Sequence, residues 1–290
     1  MVTGKHQHML PRFYLNRFIH PGWVYLRGAK QPKLVHSARN VAVKDWFYSP
    51  SPNGDLDQIN TRIESETAPI LTELLTTKAP LPDDSKFLFA YFIGNLALRV
   101  PAYIEEMSGA MVNALEQASG MAKKIIQKME IEVEENTPYV QLGSRSYTYK
   151  EWNDFLESLR QQNKEGKALI ETTMTTVAHL APVIAHMSWV ILTAPAGFFF
   201  VTCDRPVVLT DLEGSRKGAG WANRDAVGTL PLSPNRYLVL YGSPPDKWRY
   251  EQLSKEGVEN FNSRTIQFAV DAIYSPAKYK PAENWLRETD

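Results

Sequence analysis

The sequence predicts an α+β fold in which a helical middle packs on a mostly antiparallel sheet built from an N-terminal hairpin and C-terminal strands. Three observations lead there. Two β-rich runs flank a turn within residues 22–37, the stretch from Leu56 to Leu192 is dominated by helical spacing, and everything after Gly197 breaks into short β-rich runs. Helices and strands grouped in blocks, rather than alternating, indicate α+β architecture. With 290 residues, 43% of them hydrophobic, the chain can bury a sizeable core, and we expect a single domain over residues 1–290.

Trp23-Val-Tyr-Leu26 and Lys33-Leu-Val-His36 flank the turn Gly28-Ala-Lys-Gln-Pro32, a hairpin pattern. Val41 to Tyr48 reads as extended or irregular, and Ser49 to Gly54 as a loop. From Leu56 to Leu75, Ile59, Ile63, Ile70, Leu71 and Leu74 recur near helical spacing, and the segment from Ala79 to Pro82 ends that helix. Asp84 or Ser85 is placed to cap the next one, Lys86 to about Met107, apolar nearly all round and therefore buried, with a bend at Pro101. Helix is expected again over 110–130, two weak strands within 132–149, a short surface helix over 152–161, and a helix from Thr172 to Leu192 kinked at Pro182. Strands follow at 197–202, 206–210, 227–232 and 236–241, and a last helix at 254–273.

Lysine plus arginine equals aspartate plus glutamate, 32 each. Zero net charge argues against whole-surface duplex binding and leaves a local basic groove open. The single cysteine, Cys203, excludes an intrachain disulfide framework and a cysteine-rich zinc site. The polar, histidine-rich start shows no signal-peptide pattern, and no clean span of about 20 apolar residues is present. A cytoplasmic, non-membrane protein is expected.

Buried charge marks the candidate functional residues, because an unpaired buried charge is costly. Tyr91, Asn95 and Arg99 form a polar stripe on an otherwise apolar helix. Arg99 stays charged and needs a carboxylate, a ring of carbonyls or a bound anion. Glu64 and Glu66 precede it. Glu66 lies three residues after Ile63 and four before Ile70, which places it on the buried stripe as the partner and leaves Glu64 nearer the edge. Asp204, at a strand end before Arg205-Pro206, is either a functional carboxylate or an Asx-turn. Cys203 beside it is a nucleophile only if a base activates it. His8, followed by Pro11 and Arg12, is an acid–base group or one metal ligand. His179 and His186, seven apart on a helix, are too far apart to share a metal and read as packed or capping groups. Asn262, in the last helix, is a candidate for hydrogen-bonding duty.

The opening His8-Met-Leu-Pro11-Arg12-Phe13-Tyr14-Leu15-Asn16-Arg17-Phe18 resembles the signature of a large, mainly bacterial family of unknown function, DUF4238. Lys44 to Tyr48, Ile63 to Glu66, Arg99-Val-Pro101, Trp189 to Pro206, Pro231 to Pro234, and Asn262 through Ser275 resemble further parts of its pattern, in order along nearly the whole chain. Against that pattern Cys203 stands in place of a serine, Arg205 in place of an asparagine, and a glutamine is expected near Asn95. The resemblance implies no established activity.

Two functional readings follow. In the first, the chain is a metal-dependent phosphodiester hydrolase, nuclease-like, serving as a toxin or phage-defence component. His8, Glu66 and Asp204 are then catalytic, Arg12, Asn95, Arg99 and Asn262 bind substrate, and magnesium or manganese suits the oxygen-rich set. Nucleic acid or nucleotide would be the partner, through a local site. In the second, the chain is a non-catalytic ligand- or protein-binding module with a buried structural Arg–carboxylate network.

Overall fold

The computed structural model describes residues 6–45, 55–101, 138–142, 145–148, 167–216, 219–243 and 247–287, with single positions between 103 and 158. The chain divides into two compact units, one made of residues 1–100 with 173–290, the other of 101–172.

In the larger unit, β1 (His6–His8) pairs antiparallel with β4 (Val43–Asp45). Between them lie α1 (Arg12–Leu15), β2 (Gly22–Leu26) and β3 (Lys33–Val35). The expected hairpin is present, with Trp23 opposite Leu34. It does not stand alone. A four-stranded sheet runs β3-β2-β13-β8, where β8 is Thr202–Cys203 and β13 is Ala272–Ser275. A five-stranded sheet runs β12-β7-β11-β10-β9. Its strands are β7 (Ser188–Thr193), β9 (Val208–Thr210), β10 (Val227–Ser233), β11 (Arg236–Tyr241) and β12 (Trp248–Gln252). All pairs are antiparallel except β12 with β7. N-terminal and C-terminal strands thus share one sheet, as the fold class requires.

The helices of this unit are α2 (Asp55–Thr76), α3 (Asp83–Leu98), α4 (Lys167–His186), α5 (Lys255–Phe268) and α6 (Lys280–Arg287), α4 starting in the smaller unit. Among the described residues no helix is long and apolar enough to cross a membrane. α5 starts at a side-chain cap, Ser254 Oγ accepting from the Gly257 amide at 3.1 Å. Its Val258 packs with Phe200, Tyr237 and Val239. Ala269, just past its end, packs with Ile273, Trp285 and Leu286 under the four-stranded sheet.

Several boundaries differ from expectation. α3 begins at Asp83 after Pro82, with no side-chain cap, and ends at Leu98; Arg99 and Val100 break the helix, and Pro101, Tyr103, Ile104 and Glu106 are helical again, so the bend expected at Pro101 is a break just before it. Arg99 is its C-terminal cap residue, and the backbone before a proline leaves the helical region readily. The helix expected over Thr172–Leu192 ends at His186, with Pro182 inside it. Trp189-Val-Ile-Leu192, apolar and β-branched, forms a strand buried on both faces. Of the run 197–202, only Thr202 enters a ladder. β12, β13 and α6 were not expected, and α5 ends at Phe268 rather than Ile273, with a bend at Val270 and Asp271 leading into β13. The loop expected at 49–54 lies outside the described residues, as does most of the helix expected over 110–130.

The smaller unit contains the hairpin β5 (Pro138–Leu142) with β6 (Arg145–Thr148), which answers to the two weak strands. Helical positions run from Lys150 to Ser158, and Trp152 is buried rather than on the surface.

Two contacts hold the larger unit's segments in place. The Tyr14 hydroxyl, fully buried, donates to the Pro231 carbonyl at 2.8 Å and shares a 2.6 Å bond with the Thr202 hydroxyl. One side chain of α1 thereby joins a strand from each of the two large sheets. Tyr14→Phe leaves that carbonyl and hydroxyl unsatisfied and should lower stability by about 1–3 kcal/mol in urea denaturation. The second contact is steric. A β-carbon placed on Gly22 would lie 2.5 Å from Ile19 Cα, 2.5 Å from the Phe18 carbonyl oxygen and 2.7 Å from that of Ser275. β2 can start there only because residue 22 has no side chain.

Candidate functional site

The polar residues converge at the meeting of β1, α1, α2 and the end of α3. Arg99 is 2% exposed, and its guanidinium lies 2.9 Å from a Glu64 carboxylate oxygen. One turn back on each helix, Asn95 Nδ2 donates to Asn60 Oδ1 at 2.9 Å, both residues being buried. Two polar rungs therefore cross an otherwise apolar α2–α3 interface.

Glu64 also lines a shallow cleft of about 410 Å³ whose wall includes Arg12, Phe13, Asn16, Thr61 and Ser65. Arg12, in the first position of α1, is exposed on its rim. His8, at the end of β1, is half-buried, and its ring is bonded to the backbone of Val41. The neighbouring Ala42 has φ +53°, in the left-handed region that a β-carbon disfavours, while its carbonyl accepts from the Met9 amide at 2.8 Å. A strained residue is thus fixed beside the imidazole's anchor.

Burial is the largest influence on His8 and lowers its pKa from 6.5, with the Arg12 and Arg99 charges adding to the lowering. The Val41 bond and the Glu64 carboxylate oppose it without reversing it. The imidazole is therefore neutral at pH 7 and able to accept a proton. Among the described residues, the Glu64 carboxylate stands with the Arg12 and Arg99 guanidinium groups around the imidazole.

His8, Arg12, Asn95 and Arg99 are thus gathered in one neighbourhood. Glu66 is not. It is exposed and pairs with Arg62 at 2.8 Å, while Glu64 takes the position facing Arg99. The spacing argument fails because Thr67 also falls at helical spacing from both Ile63 and Ile70. The buried arc of α2 runs through Asn60, Ile63, Thr67, Ile70, Leu71 and Leu74. At about 100° per residue, its centre lies closer to Glu64 than to Glu66.

Asp204 sits elsewhere, on structural duty. Its two oxygens accept from the Val270 and Asp271 amides at 3.0 and 2.7 Å, fixing the turn between α5 and β13. This is a long-range cap, where an Asx-turn would have been local. Burial raises its pKa against those bonds. Asn262 is likewise committed. Its Oδ1 accepts from the Val201 amide at 3.0 Å and its Nδ2 donates to the Phe199 carbonyl at 2.9 Å. Cys203 is buried, and burial pushes its thiol well above the ordinary value, so it is no thiolate nucleophile at neutral pH. His179 and His186 are exposed on α4 rather than packed.

Among the described residues no three of histidine, cysteine, aspartate and glutamate come together as a metal-holding group. His8 and Glu64 supply one nitrogen and one carboxylate near each other, fewer than the three protein ligands usual at a catalytic metal. Sequence reasoning missed Asn60 and the strained Ala42, and chose Glu66 over Glu64 as the partner of Arg99. Asn60 was within reach, since it stands four residues before Glu64 on the same helix.

No curated protein and no solved structure matches the chain. The family model of DUF4238, described as a protein of unknown function, matches residues 6–278, and the chain belongs to that family.

Proposed function

We propose that the chain hydrolyses a phosphodiester, nuclease-like, by acid–base chemistry at His8. The observation that supports this reading is the half-buried imidazole that feels the charges of Glu64, Arg12 and Arg99, where Glu64 and Arg12 line an open cleft. A base poised below neutrality accepts the proton of an attacking water or hydroxyl. Arg12, exposed on the cleft wall, meets the phosphate through its guanidinium. Glu64, held by Arg99, orients the assembly. Such an activity suits a bacterial toxin or a cytoplasmic phage-defence component acting on nucleic acid. The second reading, a binding module, draws on the Asn60–Asn95 and Glu64–Arg99 rungs, which serve packing whether or not anything reacts.

The test assays single-stranded RNA, single-stranded DNA and duplex DNA, with and without magnesium, manganese and a chelator. His8→Ala should lower cleavage by about 100-fold or more while the melting temperature holds. The wild-type rate should rise with pH through a midpoint below 6.5. Because the folded pKa lies below the unfolded one, the stability contributed by neutral His8 is complete above 6.5 and is lost as pH falls through the folded pKa. Absence of cleavage under every condition, or cleavage indifferent to His8→Ala, would overturn the reading.

A further inference from the structure

A second cavity, of about 700 Å³, opens where the ends of β7, β10 and β11 meet α2. Its size lies within the range of about 300–1,000 Å³ usual for small-molecule sites. Its wall carries two arginines, Arg17 and Arg236, the neutral groups Ser233 and Asn235, and the apolar Leu75 and Phe198. No aspartate or glutamate lines it among the described residues.

Both arginines are held in place by neutral partners. Arg17 Nη2 donates to the Thr72 hydroxyl at 2.9 Å, and Arg236 Nη1 donates to the Thr193 hydroxyl. Neither forms an ion pair among the described residues. Arg17 Nε is buried with no hydrogen-bond partner, and burial alone lowers its pKa with no carboxylate to oppose it. A withdrawn guanidinium normally finds an anion. Here the Arg236 guanidinium shares one concave wall with that of Arg17.

We propose that this cavity binds a small organic phosphate, a monoester dianion carried on a flat or apolar body. Two guanidinium groups, neither in an ion pair among the described residues, match two negative charges. A tetrahedral phosphate has acceptor oxygens for both forks and for the Ser233 and Asn235 side chains, whereas one carboxylate is satisfied by a single fork. Leu75 and Phe198 receive the apolar body. Arg17 belongs to the opening motif, yet it does not line the cleft of Arg12 and Glu64, so the proposal stands apart from the hydrolase reading.

Isothermal titration of the full chain with adenosine monophosphate, adenosine and acetate tests it. The monophosphate should bind, and adenosine and acetate should not. Arg17→Lys, which keeps a donor for Thr72, and Arg236→Gln should each weaken binding about tenfold or more with unchanged circular dichroism. His8→Gln should bind as the wild type does, which separates this cavity from the cleft. In the wild type the Arg17 and Arg236 Nε–H resonances should shift on addition of the monophosphate, a readout that needs no variant. Failure of the monophosphate to bind, equal binding of adenosine, or arginine resonances that do not move would each overturn the proposal.

Discussion

Replacing Glu64 with alanine lowers the free energy of unfolding by about 3 kcal/mol, whereas Glu66→Ala shifts it by no more than about 0.5 kcal/mol. The asymmetry follows from where the two carboxylates stand. Glu64 is 2.9 Å from a guanidinium whose side chain is 3% exposed, so its removal takes a carboxylate away from a charge out of reach of water. Glu66 and Arg62 are both largely in solvent, where water replaces either partner. Substituting both members of the buried pair by apolar groups, Glu64→Leu with Arg99→Met, should recover part of the loss, because the pair is then removed as a unit. Urea denaturation of the four variants gives the coupling directly. Equal effects at positions 64 and 66 would remove the ion pair from its place in the site.

The second large effect is expected at Asn262. Asn262→Ala leaves the Val201 amide and the Phe199 carbonyl without their partner, at about 1–3 kcal/mol each. A total near 3 kcal/mol is expected in the same denaturation measurement. Asn262→Asp keeps the acceptor for Val201 but sets a buried carboxylate oxygen against the Phe199 carbonyl, so at neutral pH it should cost at least as much as alanine. The residues from Phe198 to Val201 make no ladder of their own, and this side chain supplies what a neighbouring strand would have given. An alanine variant as stable as the wild type would show that segment to be held by packing alone.

Much of this architecture was legible before coordinates. The hairpin announced itself by its turn residues, and α2 by its spacing. Arg99 stood out as a cation in an apolar helix. What escaped has a common cause. Burial along a helix is an arc, so two glutamates flanking it were separable only once Thr67 and Leu71 fixed its centre. The strand at 188–193 read as helix because an apolar run buried on both faces has no alternation to betray it. Asp204 and Asn262 were recognised as out of place, but their partners lie more than sixty residues away and are backbone atoms, which carry no sequence signal. The pairing of Arg17 with Arg236 across one cavity depends on the docking of α1 against the β10–β11 hairpin, a relation of shape that composition does not encode.

Gly22 illustrates the same limit from the other side. Three stretches of main chain close on a space that admits a hydrogen atom and nothing larger, so the identity of that residue is dictated by its neighbours' backbones and not by their side chains. Exchanging the side chains around it leaves that constraint in place, because the atoms that impose it are main chain. The alphabet at residue 22 has a single letter.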